Sequence, residues 1–161
     1  MKYTFIAVLA LMLAFAAPSF AQATAADKET SGALDALTNY VNAQATGDAA
    51  FARKAFHTEG TMLWMAPDGK FMSETFDAFI KRAFTGKIAP DEDKRKAGRK
   101  IESVEVSGNA GRGKIILDYP SVRFVDYMTL LKINGEWKIV SKVFYAERKA
   151  APVADAPKTT P

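Results

Sequence analysis

The stretch DYMTLLKINGEWKIVSKVFY, Asp126 to Tyr145, decides how this chain folds. Two alternating runs flank Asn134-Gly135, the dipeptide that most favours a two-residue type I′ hairpin, because both central positions of that turn need positive φ. A loop that tight sets the register: Ile133 opposite Glu136, Lys132 opposite Trp137, Met128 opposite Ser141, Asp126 opposite Val143. One face of the hairpin then carries Asp126, Met128, Leu130, Ile139, Ser141 and Tyr145, and the other carries Tyr127, Thr129, Leu131, Lys138, Lys142 and Phe144. The first face is the more apolar and is assigned to the core. Asp126 is its anomaly, since a buried carboxylate is costly without a partner or water. A bulge between Tyr127 and Lys142 would exchange part of this assignment and bring Lys142 beside Asp126.

Upstream, Ile101, Val104 and Val106 lie in a strand closed by Ser107-Gly108-Asn109, and Gly113 to Tyr119 forms the next, ending before Pro120. The amino-terminal half has helical periodicity instead. Leu34, Leu37, Tyr40 and Val41 mark a helix starting near Gly32 with Ser31 as its cap, broken by Gly47-Asp48. Asp48 caps a second helix through Phe51, Ala52, Ala55 and Phe56, with Gly60 as the joint to a short strand, Thr61 to Met65. Ala66-Pro67-Asp68-Gly69 is a turn, Lys70 to Met72 a short return strand, and Ser73 the cap of a third helix with Phe76, Phe79, Ile80, Ala83 and Phe84 on one face. Thr85 to Arg99 reads as a polar loop. Helices followed by antiparallel strands specify an α+β fold, with three helices laid on one face of a curved antiparallel sheet and a pocket between the layers.

The ends are of another kind. Lys2, the apolar run Phe5 to Ala17 and the small residues around Ala21 and Ala23 have the form of a cleavable export signal, too short to span a bilayer comfortably. The expected organisation is a leader over residues 1–21, a linker over 22–31, one folded domain over 32–147 and a disordered tail over 148–161. The location implied is periplasmic or secreted, with no stable membrane insertion after cleavage.

Composition narrows the chemistry. The chain has no cysteine and one histidine, which excludes disulfides, thiolate catalysis and multi-histidine metal sites. No metal, nucleotide or nucleophile motif occurs, so no cofactor is expected. A formal charge of +4 is mild. The densest charged run, Asp91 to Lys96, mixes signs and has no interleaved aromatics, so it reads as a solvated loop and no nucleic-acid partner is expected.

These features together are similar to one known family. The amphipathic first helix, Gly47-Asp48, FHTEGTMLWMAPDGK from Phe56, the third helix and the closing DYMTLLKINGEWKIVSKVFY resemble the NTF2-like superfamily, nearest to its "putative lumazine-binding", SnoaL-like group. The resemblance covers about Ala33 to Glu147. It implies a cone-shaped α+β barrel with an internal pocket, commonly a homodimer. It implies less about chemistry, since the superfamily holds isomerases, dehydratases and cyclases as well as inert binding domains. The ketosteroid isomerase pattern uses a pocket tyrosine and paired acids. Here Asp126 is one acid, and Asp118 is a poor match for the second.

The candidate catalytic residues are His57 and Asp126, with His57 able to act as a general base if Asp126 orients its ring. A histidine after a helix is equally a favourable dipole partner, and that structural role is preferred. Met62, Trp64, Met128, Ser141 and Tyr145 are the expected ligand-binding groups, suited to a small apolar or aromatic ligand. Trp137 is assigned to the core at the closed base of the cone, and Lys142 to the strand surface. The mixed second sheet face is expected to form a homodimer interface. The leading function is non-catalytic binding of a small molecule in an internal apolar pocket. The alternatives are a cofactor-free lyase, isomerase or cyclase with a histidine or aspartate base, and a dimeric adaptor with a filled pocket.

Overall fold

The computed structural model describes residues 19–150. The hydrophobic core of the expected leader, and all of the expected tail beyond residue 150, lie outside the described residues.

The first helix, α1 (Ser19–Thr46), is longer than the periodicity predicts and runs through the expected linker. Its buried stripe is Ala33, Ala36, Leu37, Tyr40 and Ala43, whereas Leu34 is exposed. Small alanines let α1 lie close to the sheet. Gly32 serves the same end within the helix, since a Cβ there would come within 2.6 Å of Trp137. Gly47 closes α1 at φ +69°, a conformation glycine adopts freely. The Asp48 side chain then caps α2 (Ala49–Ala55) by accepting from the Ala50 amide at 2.7 Å.

Strand β1 (Phe56–Met65) begins directly after α2, so Phe56 belongs to the strand and Gly60 lies inside it rather than at the joint. It turns back into β2 (Phe71–Thr75). The cap of α3 (Phe76–Ala83) is Thr75, which accepts from the Ala78 amide, and not Ser73, which pairs with Leu63 in the sheet. The expected polar loop contains a short helix, α4 (Glu92–Arg95), and a 3-10 turn. Four long strands follow: β3 (Arg99–Ser107), β4 (Ala110–Asp118), β5 (Val122–Ile133) and β6 (Glu136–Arg148). Arg148, expected to open the tail, still pairs with Val122.

The six strands form one sheet in the order β2-β1-β6-β5-β4-β3. Every neighbouring pair is antiparallel except β1 and β6, which run parallel. Helices α1 to α3 cover one face, and the core lies between the layers. Phe56 sits at its centre, against Tyr40, Phe76 and Phe79 at ring-centroid distances of 5.0, 4.3 and 6.1 Å. The fold is thus mixed α+β, helices packed on an open curved sheet.

The hairpin turn is as read from the sequence: Asn134 and Gly135 both have positive φ, and Ile133 pairs with Glu136 and Lys132 with Trp137. Further along, a bulge intervenes. Leu130 pairs with Ile139 but Thr129 pairs with Ser141, leaving Val140 as the extra residue. Beyond it Met128 faces Lys142 and Asp126 faces Phe144. Every side chain after Val140 therefore changes face. Lys142 and Phe144 turn inward, whereas Ser141, Val143 and Tyr145 turn outward.

Candidate functional site

The inward turn of Lys142 resolves the anomaly at Asp126. Asp126 is fully buried and Lys142 is 5% exposed. The Lys142 Nζ lies 3.3 Å from Asp126 Oδ2 and donates to the Tyr40 hydroxyl at 3.2 Å. Tyr40, from α1, donates its own hydroxyl proton to Asp126 Oδ2 at 3.0 Å, and Gln44 one turn along donates to the Tyr40 oxygen at 3.2 Å. Burial, and after it the Asp126 charge, hold the Tyr40 phenol well above its ordinary pKa, so it remains a neutral donor. Asp126 Oδ1 is buried and has no hydrogen-bond partner.

Lys142 also reaches a cavity of about 370 Å³ between the helices and the sheet. Aromatic side chains form much of its wall: Trp64 from β1, Phe79 from α3, Tyr119 after β4, and Phe124 and Phe144 from β5 and β6. Trp64 and Phe144 stack with centroids 5.4 Å apart. The Lys142 Nζ lies 4.8 Å from the Phe144 centroid, 5.2 Å from Tyr40 and 5.3 Å from Phe79. Arg82 and Arg95 also line the cavity. Arg95 stacks over Tyr119 at 4.5 Å and pairs with Asp91, so it is held in place rather than free in solvent.

Part of the charged run is thus structural, contrary to its reading as a solvated loop. The Arg99 side chain is only 4% exposed, forms a two-toothed pair with Glu92, and donates to the Gln44 carbonyl and the Tyr119 hydroxyl. These contacts tie the loop to the end of α1 beside the cavity.

The residues expected to bind ligand divide. Met62 and Trp64 line the cavity. Met128 is buried in the core and borders an outer groove of about 410 Å³, which Ser141 also lines. Tyr145 is 64% exposed and borders a separate cleft of about 650 Å³ beyond the Trp64, Phe124 and Phe144 rings. The bulge at Val140 is the reason both Ser141 and Tyr145 miss the internal cavity. His57 does not reach Asp126. It opens a second bulge, in β1, where Phe56 pairs with Ile139 but the next pair is Thr61 with Ser141. Phe56 points into the core, which sends its neighbour His57 the other way, and the carboxylate is occupied by Tyr40 and Lys142. Asp118 is no second acid either, since it is on the outer side and pairs with Lys149 at 2.6 Å. Trp137 lies in the core as expected, donating its indole N–H to Glu29 at 2.9 Å.

Tyr40, Gln44, Lys142 and Phe144 are among the cavity groups that the sequence reading does not single out for the site. Two signals for them existed. Tyr40 and Gln44 are one helical turn apart on one face, and the bulged register placed Lys142 beside Asp126.

Comparison with known proteins agrees with the geometry. The family model described as "Putative lumazine-binding" matches residues 28–145. The chain is similar to solved structures of NTF2-like proteins from Shewanella baltica, with a TM-score of 0.65, 23% identity, and 75% of this chain and 95% of the other covered. It is similar too to one from Methylobacillus flagellatus, with a TM-score of 0.62, 23% identity, and 74% and 93% covered. At those identities the likeness speaks to the fold. Among curated proteins, the aldolase FrzH of Cladobotryum sp. is 27% identical over 111 residues, spanning 66% of this chain and 82% of the relative. With a family match over most of its length, the chain belongs to the "Putative lumazine-binding" family, and its fold is that of the NTF2-like structures it resembles.

Proposed function

We propose that this is an exported, dimeric small-molecule-binding domain, whose ligand is a flat, mostly apolar molecule carrying at least one polar oxygen. The observation behind this reading is the aromatic-walled cavity of about 370 Å³ with the Lys142 amine at its inner side. Stacked walls such as Trp64 and Phe144 favour a planar body, and Lys142, Arg82 and Arg95 supply donors for an electron-rich edge. Lumazine, the bicyclic heterocycle in the family's description, shares the planar body and the carbonyl oxygens and is a more polar compound of that shape. Export is supported by the leader-like amino terminus, and dimerisation by the exposed apolar side chains Tyr127, Val143 and Tyr145 on the outer sheet face.

Native mass spectrometry of the protein expressed with its leader and released gently from the periplasm tests all of this at once. The expected result is a dimer of chains cut after Ala21 or Ala23 that carries a reproducible added mass or takes up lumazine on titration. A chain retained uncut in the cytoplasm would overturn export. A protein that neither carries nor takes up a planar ligand would overturn the binding reading.

A second reading, an aldol-type or isomerising enzyme with Asp126 as base, is favoured by the unpartnered Asp126 Oδ1 and by the similarity to an aldolase. It predicts that Asp126→Asn abolishes exchange of α-protons of a bound ketone with deuterated water while leaving the ketone bound. Unchanged exchange in that variant would remove the reading.

A further inference from the structure

We infer that Lys142 is a covalent site, which takes an aldehyde or ketone as an imine on its Nζ. The inference rests on the proposed ligand cavity and names the ligand class it accepts.

Three features of the side chain point to this. First, Lys142 is the buried lysine of the described core, and its Nζ is surrounded by the rings of Phe144, Tyr40 and Phe79. An amine becomes a useful nucleophile toward carbonyls in apolar surroundings of that kind. Second, its ties are loose. The contact to Asp126 is 3.3 Å and that to Tyr40 is 3.2 Å, both longer than is usual for a charge-assisted hydrogen bond. A lysine has three donors, and these two acceptors are its only hydrogen-bond partners among the described residues. Third, a proton acceptor is already in place. Asp126 Oδ1 is buried without a partner, and the carboxylate adjoins the amine.

The same cluster disfavours a simple anion as the occupant. Asp126 offsets the charge of Lys142 at close range, so an anionic ligand gains little from the pair. A neutral carbonyl gains more, because its carbon meets an amine and it adds no charge to the aromatic-walled cavity.

The step balances without any further reactant. The ammonium of Lys142 gives one proton to the Asp126 carboxylate. The freed nitrogen lone pair forms a bond to the carbonyl carbon, and proton movement from nitrogen to oxygen gives the carbinolamine. Asp126 returns its proton to the hydroxyl, which leaves as water. The product is a protonated imine beside a carboxylate, so the cluster ends with the charges it began with. In this scheme Lys142 is the nucleophile, and Asp126 carries the proton from its amine to the leaving hydroxyl.

Trapping tests the inference on the whole mature protein. Naphthaldehyde is the probe, with cyanoborohydride to reduce any imine, and peptide mapping reads the labelling rate of each lysine. The exposed Lys70 and Lys81, with side chains 77% and 66% accessible, report the background. Lys142 is expected to be labelled about tenfold faster than they are, and Lys142→Met should lose that label while background labelling is unchanged. Should Lys142→Met not fold, Lys142→Met combined with Asp126→Asn leaves no buried charge and serves in its place. The wild-type rate comparison stands without either variant. Labelling of Lys142 at or below the background rate overturns the inference. Calorimetry with naphthylmethanol, which has the same body and no carbonyl, then separates the two failures. If the alcohol binds, the cavity reading survives and the covalent one falls; if it does not bind, both fall.

Discussion

Removing one partner of a buried ion pair strands the other in a medium that solvates charge poorly. Lys142→Met leaves Asp126 with the Tyr40 hydroxyl alone and is expected to lower unfolding stability by about 3–5 kcal/mol. Adding Asp126→Asn to it should restore most of that loss, because no charge then remains to be buried. Urea unfolding of the two variants measures both changes. A midpoint unmoved by Lys142→Met would mean that water reaches the pair, against the burial seen for both side chains. Such clusters are weak sources of stability, and a packed apolar pair of similar volume often serves as well. That is one reason to connect Lys142, Asp126 and Tyr40 with the ligand instead of with folding alone.

At the scale of the element, two bulges face one another. Val140 is the extra residue of β6, and residues 57–60 are the looped part of β1 opposite it. Gly60 lies where they meet. A Cβ added there would fall 2.4 Å from the Val140 carbonyl oxygen and 2.7 Å from the Phe76 ring. A backbone oxygen cannot swing away as a side chain can, so Gly60→Ala should destabilise by about 1–3 kcal/mol. It should also slow the labelling of Lys142, whose inward turn depends on the β6 bulge. Thermal unfolding and the trapping assay together check this. A stable Gly60→Ala protein with unchanged Lys142 labelling would mean that the close approach does not hold the bulge. Much of the helical half was legible at this scale. The caps near Asp48 and before Phe76 could be read to within two residues, since capping is a local interaction. The parallel pairing of β1 with β6 was not, because it joins segments more than seventy residues apart and has no short-range mark.

Across the whole molecule, the outer sheet face is the remaining question. The bulge adds Val143 and Tyr145 to that face beside Tyr127, all at least half exposed. Tyr127 and Val143 are directly opposed across β5 and β6, so the patch is continuous. In the proposed dimer this patch is the contact, and a charge at its centre would be buried without a partner. Val143→Asp should therefore convert the dimer to a monomer, while leaving the internal cavity on the other face intact. Light scattering after size-exclusion chromatography checks the mass. A Val143→Asp protein that stays dimeric would place the interface elsewhere.

The amino-acid sequence by itself determined the α+β class, the Asn134-Gly135 hairpin, the register as far as Leu130 and the burial of Trp137. These follow from turn chemistry, capping and periodicity, all of which act within a few residues. It also marked Asp126 as a group in need of a partner, and held two registers open for supplying one. Only the tertiary structure decided between them. Tyr40 lies 86 positions from Asp126 along the chain, and α1 delivers its hydroxyl to the carboxylate only when the helix is seated on the sheet. With that helix in place, turning Lys142 inward satisfies a buried charge and brings Phe144 to stack on Trp64, whereas the unbulged register would leave the carboxylate without a cation. The internal cluster is a consequence of non-local packing, which overrode the unbulged register that local physics favoured.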